Sequence, residues 1–258
     1  MKHSPLVSLL LATLLLLHPA PTHATPADSL PAGTTPTLRP TQFILPAALI
    51  TAGAIGINSH RHTHSPDYQI NKTLSRWRGN HPFRADEYLR FVPLAMDLGL
   101  NLLTARSREE HIDHLILTAN TYAVMGILVR SLKLVADERR PDGSDDHSFP
   151  SGHTATAFAG AELVRRVYRH VSPWYGAGAY TAAVLTGFLR IYNGHHWLSD
   201  VLAGAGIGIL STQIAYLLFP VEQKFLFPRR KVQAPACLLL PYYDASTRGG
   251  GLTASISF

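Results

Sequence analysis

The most constraining feature of the chain is Val201–Phe219, a run with no charged residue. An apolar stretch of that length is about what a helix needs to cross a bilayer, roughly twenty residues. Two further segments share the pattern. Leu115–Val129 is apolar and runs on toward Val135, and Trp174–Leu189 is also free of charge. Three others are weaker: Phe43–Asn58 holds Pro46, Phe91–Thr104 holds Pro93 and Asp97, and Thr154–Tyr168 holds Glu162, Arg165 and Arg166. Small residues recur at helical spacing, as in Gly204 with Gly208 and Ala155 with Ala159. Such pairs let helix backbones approach closely, in a membrane or in a soluble bundle. Either way the pattern predicts an all-α fold, a helical bundle of about six helices. Charged residues make up 16 % of the chain, against roughly 25 % in a soluble domain. That deficit favours a membrane-embedded bundle.

The two ends read differently. Lys2 and His3 precede an apolar core, Leu6–Leu17, and Thr22-His23-Ala24 offers a small-residue cleavage site. Residues 1–24 therefore read as a secretory signal peptide, with a retained anchor as the competing reading. Residues 25–42 are rich in Pro and Thr and read as a linker. The helical domain is placed at 43–219. Residues 220–258 form a basic linker, with Lys224, Arg229, Arg230 and Lys231, and a C-terminal tail. Cys237–Tyr243 and Leu252–Phe258, joined by a turn around Ser246–Gly250, read as a short β-hairpin, with Pro241 confining the first strand to an edge. The single cysteine, Cys237, excludes an internal disulfide.

Three polar clusters interrupt the apolar pattern. Lys133 and Arg140 are seven residues apart, close to two helical turns, which predicts both cations on one helix face. They would meet an anion there, or snorkel to a membrane interface. Pro150-Ser151-Gly152-His153 precedes an Ala/Thr-rich segment and reads as a loop entering a helix N-terminus. Free N–H groups at such an end favour an anion; a plain cap by Ser151 is the simpler reading. Arg190, His196 and Asp200 form the third cluster. Asp200 stands four residues after His196, placing it to reach the imidazole along one helix face. A carboxylate on one ring nitrogen leaves the other free to attack. The same residues could stabilise a helix start, or join His153 and His195 around a metal.

Taken together, Lys133-x6-Arg140-Pro141, Pro150-Ser151-Gly152-His153 and Arg190-x5-His196-x3-Asp200 resemble the three-part signature of the type 2 phosphatidic acid phosphatase superfamily. That group includes lipid phosphatases, secreted acid phosphatases and vanadium haloperoxidases. The resemblance covers residues 133–200, and the helix order over 43–219 is similar. It departs in having Leu189 where the family commonly has Ser, and in a short acidic loop with Asp142, Asp145 and Asp146 before Pro150. The resemblance implies a phosphatase acting through a phospho-histidine on His196, oriented by Asp200, with His153 exchanging protons with the leaving group and water. Lys133, Arg140, Arg190, Ser151 and Gly152 would hold the phosphate, with no metal or other cofactor. The expected partners are a membrane and a phosphorylated lipid: phosphatidate, phosphatidylglycerophosphate, a prenyl pyrophosphate or lipid A. A soluble periplasmic acid phosphatase and a vanadate-dependent haloperoxidase are the alternatives.

The net charge of +6 suits an anionic partner. Its basic residues are scattered and no nucleic-acid motif is present, so nucleic acid is not expected. His60-Arg61-His62-Thr63-His64 reads as a solvated loop, and His195 as a pocket-lining neighbour of His196. Basic residues at Arg165–Arg169 and after Phe219 favour a cytoplasmic side opposite the three clusters, which puts the site on the periplasmic face.

Overall fold

The computed structural model describes residues 40–226 except 58, 60, 61 and 106, and the backbone of 236–244 and 249–257. The expected signal peptide, the linker up to residue 39, His60-Arg61 and Arg229–Lys231 lie outside the described residues.

A 3-10 turn, Pro40–Phe43, leads into α1 (Ile44–Gly56). Then follow α2 (Pro66–Arg78), a single turn α3 (Asp86–Leu89), α4 (Val92–Thr104), α5 (Arg108–Ala136), α6 (Gly152–Tyr168), α7 (Pro173–Tyr192) and α8 (Leu198–Leu226). Six of these correspond to the apolar segments, and the bundle is all-α as expected. Two elements were not legible: α2 is largely polar, and α3 is one turn. Beyond the bundle, β1 (Ala236–Asp244) pairs antiparallel with β2 (Gly249–Ser257), with Ala236 opposite Ser257.

Side chains set half of the helix starts. Ser65, Ser107, Ser151 and Ser172 each accept a backbone N–H from the first turn, at α2, α5, α6 and α7. Proline opens α2 and α7, where its missing N–H costs nothing.

The core is a seam of small residues. A Cβ on Gly204 would stand 2.5 Å from the Ser151 carbonyl oxygen, and one on Gly208 would stand 2.5 Å from that of Ala155. The two small-residue pairs read from the sequence therefore face each other, α8 against α6. α1 lies on the other side of α8, where a Cβ on Gly53 would meet the Ser199 carbonyl oxygen at 2.5 Å. Met125 and Val129 of α5 close the bundle against Ala155, Ala159 and Ile207.

Among the described residues two helices, α5 and α8, are long and apolar enough to cross a membrane. α7 is not among them, although Trp174–Leu189 reads as a span. Its Gly, Ala, Thr and Tyr content avoids charge but lowers its hydropathy. Leu102, Leu103, Ile127, Leu134, Val135 and Leu185 are exposed, forming apolar surface that a monomeric soluble protein rarely presents.

α8 also runs past the expected boundary at Phe219, through Pro220 to Leu226. The extension is tied to α5, because Asn120 contacts Glu222 and Gln223 Nε2 donates to Asp113 Oδ2 (2.9 Å). Lys224 thus belongs to the last turn of this helix and not to a linker.

Candidate active site

The three clusters converge at one end of the bundle. The C-terminal ends of α5 and α7 meet the N-terminal ends of α6 and α8 there. Backbone bonds join them: Ser151 N–H donates to the Asp200 carbonyl (3.0 Å), and Asp142 N–H to that of Gly194 (3.0 Å). Trp197 Nε1 donates to the Arg139 carbonyl (2.8 Å). Gly194 turns the chain between α7 and α8 with φ +76°, a conformation that favours glycine.

Lys133 and Arg140 do not share a helix face. α5 ends at Ala136 and Asp137 takes a left-handed conformation (φ 39°), so Arg140 lies in the following loop. The stop comes before Pro141. Lys133 Nζ donates to the carbonyls of His147 (2.6 Å) and Ser148 (3.3 Å), and Arg140 Nε to Asp145 Oδ1 (2.8 Å). The acidic loop therefore braces the first cluster from within. Its other carboxylate, Asp142, lies 2.9 Å from His195 Nδ1, which gives His195 a partner of its own.

Gly152 opens α6 and Ser151 caps it, as read from the sequence. The Ser151 hydroxyl is buried, shares a hydrogen bond with Thr154 Oγ1 (2.9 Å) and accepts from Thr154 N–H (3.5 Å). His153, one residue into the first turn, stands at the mouth of this end.

His196 is 2 % exposed and lies in the turn before α8, not on the helix. Asp200, in the first turn of α8, reaches back to it: Oδ2 is 3.3 Å from His196 Nδ1 and accepts Trp197 N–H at 2.8 Å. Ser148 Oγ donates to the same oxygen (2.5 Å). A carboxylate beside Nδ1 places the ring proton there and leaves the Nε2 lone pair free. Burial pushes the imidazole down to about 4, against the pull of Asp200; the charges of Arg190 and Arg140 push the same way. His196 is thus neutral near pH 7.

Arg190 is nearly buried in the last turn of α7. Its Nη1 donates to Asp86 Oδ2 (2.7 Å) and lies 3.6 Å from Glu87 Oε1. Asp86 is held in turn by Asn193 Nδ2 (2.9 Å), whose side chain also clamps the Phe83 backbone N–H and C=O. Arg190 Nε and Arg90 Nε are buried without a protein partner among the described residues. Buried N–H groups of that kind are normally satisfied, and a bound anion would satisfy them.

Asp86, Glu87, Arg90, Asn193 and Ser148 were not singled out in the sequence. They follow no repeating spacing, and the first three sit on one short turn ahead of an apolar segment. Asp67 was missed as well. It accepts from Ser199 N–H (3.0 Å) and Oγ (2.7 Å), fixing the start of α8 beside the site. Among the described residues no group of three His, Cys, Asp or Glu is placed to hold a metal ion.

With this geometry in view, residues 114–224 match the family model described as the PAP2 superfamily. They contain all eight residues assigned to the site from the sequence. The lipid A 1-phosphatase of Porphyromonas gingivalis is 37 % identical over 155 residues, 60 % of this chain and 35 % of that protein. This chain thus spans about a third of its relative's length. Aquifex aeolicus LpxE is 23 % identical over 58 % of this chain and 94 % of its own, with a TM-score of 0.44. A PAP2-type phosphatidylglycerolphosphate phosphatase from Bacillus subtilis is 18 % identical over 72 % of this chain and 99 % of its own, with a TM-score of 0.47.

Proposed function

We propose that the PAP2 domain is a membrane lipid phosphatase that removes a phosphate through a phospho-histidine on His196. The observation that carries this reading is the buried His196–Asp200 pair beside cations from two helix ends, Lys133 and Arg190, and from the loop after α5, Arg140. A neutral imidazole held by a carboxylate, with the buried Arg190 and the partly buried Arg140 nearby, suits attack on a phosphate.

Phosphoryl transfer depends mainly on positioning and charge stabilisation. Lys133, Arg140 and Arg190 neutralise the phosphate oxygens, and the N–H groups at the start of α6 complete the cradle. His196 Nε2 attacks phosphorus as the bond to the leaving oxygen breaks. Asp200 stabilises the charge that grows on the ring. His153 gives its proton to the leaving oxygen and then takes one from the water that displaces the imidazole.

The exposed apolar surface and the spans α5 and α8 support a lipid substrate presented from a bilayer. The relative named lipid A 1-phosphatase supports a lipid A-type glycolipid phosphate as the first substrate to test. The site faces the periplasm in this reading, because Arg165, Arg166 and Arg169 end α6 at its far end.

The test is phosphate release by detergent-purified protein and His196→Ala, with chelator present. The panel contains lipid A, phosphatidate, phosphatidylglycerophosphate, a prenyl pyrophosphate and p-nitrophenyl phosphate. Release from one lipid class, lost in the variant, is expected. Equal turnover of the soluble ester would argue for a broad acid phosphatase. Release that survives the loss of His196 would overturn the mechanism.

A further inference from the structure

We infer that Glu87 is a positioning residue for His153, a second carboxylate–imidazole pair that matches Asp200–His196, with Arg90 set against it on the same nitrogen. This rests on the phosphatase reading above and adds residues from outside the three clusters to it.

The geometry is specific. His153 Nε2 lies 3.1 Å from Glu87 Oε2 and 2.8 Å from Arg90 Nη1. A single ring nitrogen cannot donate to a carboxylate and accept from a guanidinium at once. Glu87 selects the form with a proton on Nε2; Arg90 selects the form with a lone pair there. The charged groups facing His153 come from two elements, Glu87 and Arg90 around the turn of α3 and Arg190 from α7. Burial, Arg190 and Arg90 all disfavour a proton on this ring, and Glu87 opposes them. Glu87 is itself held low, first by its hydrogen bond with His153, so it carries the charge the pairing needs.

The consequence lies in the acid step. To leave, the substrate oxygen must take a proton from His153 while its bond to phosphorus breaks and the His196–phosphorus bond forms. The electron pair of the broken bond goes to the departing oxygen. A proton on Nε2 held by Glu87 favours the doubly protonated ring that transfer from Nδ1 requires, against the burial and the arginines that disfavour it. It keeps the Glu87 bond afterwards, with a lone pair on Nδ1 to accept a proton from water in the second half. Alkoxide leaving groups need that proton; p-nitrophenolate does not.

The experiment uses full-length protein in detergent and compares kcat/KM for an alkyl phosphate lipid with that for p-nitrophenyl phosphate. Glu87→Gln is expected to lose about tenfold or more on the lipid and less than about threefold on the aryl ester, a part of the roughly hundredfold or larger contribution of a general acid. The fall in rate on the alkaline side, where His153 loses its proton, should move to lower pH. Arg90→Gln should move that limb to higher pH, and Glu87→Asp should restore part of the lipid rate. Equal losses on both substrates, or limbs that stay in place in both variants, would overturn the inference. Wild-type protein inactive on every phosphate would instead remove the phosphatase reading beneath it.

Discussion

The two imidazoles at the site are built on opposite principles. His196 is buried, and its carboxylate is four residues away, itself buried and bound to Ser148 and the Trp197 N–H. His153 sits at the mouth. Its carboxylate, Glu87, lies 66 residues upstream with a side chain 47 % exposed, and a competing arginine shares the same nitrogen. The difference teaches that the proposed nucleophile, His196, is fixed by a local, dry pairing, whereas the proposed proton-exchanging group, His153, is held by a remote one that solvent can reach.

The sharpest way to break that contrast is at its fixed side. His196→Ala should lower kcat by more than about a thousandfold, read by phosphate release, because no neighbouring group can form the covalent bond. Asp200→Asn should cost about a hundredfold or more in kcat with a smaller change in KM. The amide keeps the shape but removes the charge that supports the imidazolium. Arg190→Lys should raise KM and lower kcat together, about tenfold in kcat/KM. A lysine cannot both keep the Asp86 bond and offer a planar fork to phosphate.

A structural probe strikes the seam and leaves the chemistry in place. Gly204→Val puts a side chain against the Ser151 carbonyl, which lies 2.5 Å from where a Cβ would stand. It should cost about 1–3 kcal/mol in thermal stability, and KM should rise as the cap of α6 shifts.

The smallest effect tests the adjustable side. His153 is pushed down to about 4, by burial first and by Arg190 and Arg90 next. A bound phosphate analogue offsets those cations and raises the pKa. Binding should therefore take up a proton in the window above about pH 4, and affinity should strengthen as pH falls through it. Calorimetry of vanadate binding in two buffers, with His153→Ala subtracted, would show a fractional uptake. No difference between the proteins would mean that the ring does not sense the ligand.

How much of this was legible in the sequence depends on whether the signal was local. The apolar segments marked six helices, and Ser151 before Gly152 marked the cap of α6. Spacing misled where the chain leaves a helix: Asp137 stops α5 before Arg140, and His196 precedes α8. In both cases the residues still meet the site, through loop contacts that periodicity does not encode. Asp86, Glu87 and Arg90 were hidden for a related reason. Their partners, Arg190 and His153, are distant in the chain, and one polar turn before an apolar segment looks like an ordinary connection.

One bond described above reaches beyond the site. The Ser151 N–H on the Asp200 carbonyl fastens the mouths of α6 and α8 together, directly above the glycine seam. Neither helix can slip along the other without parting the cap of α6 from the start of α8, and with it the carboxylate that holds His196.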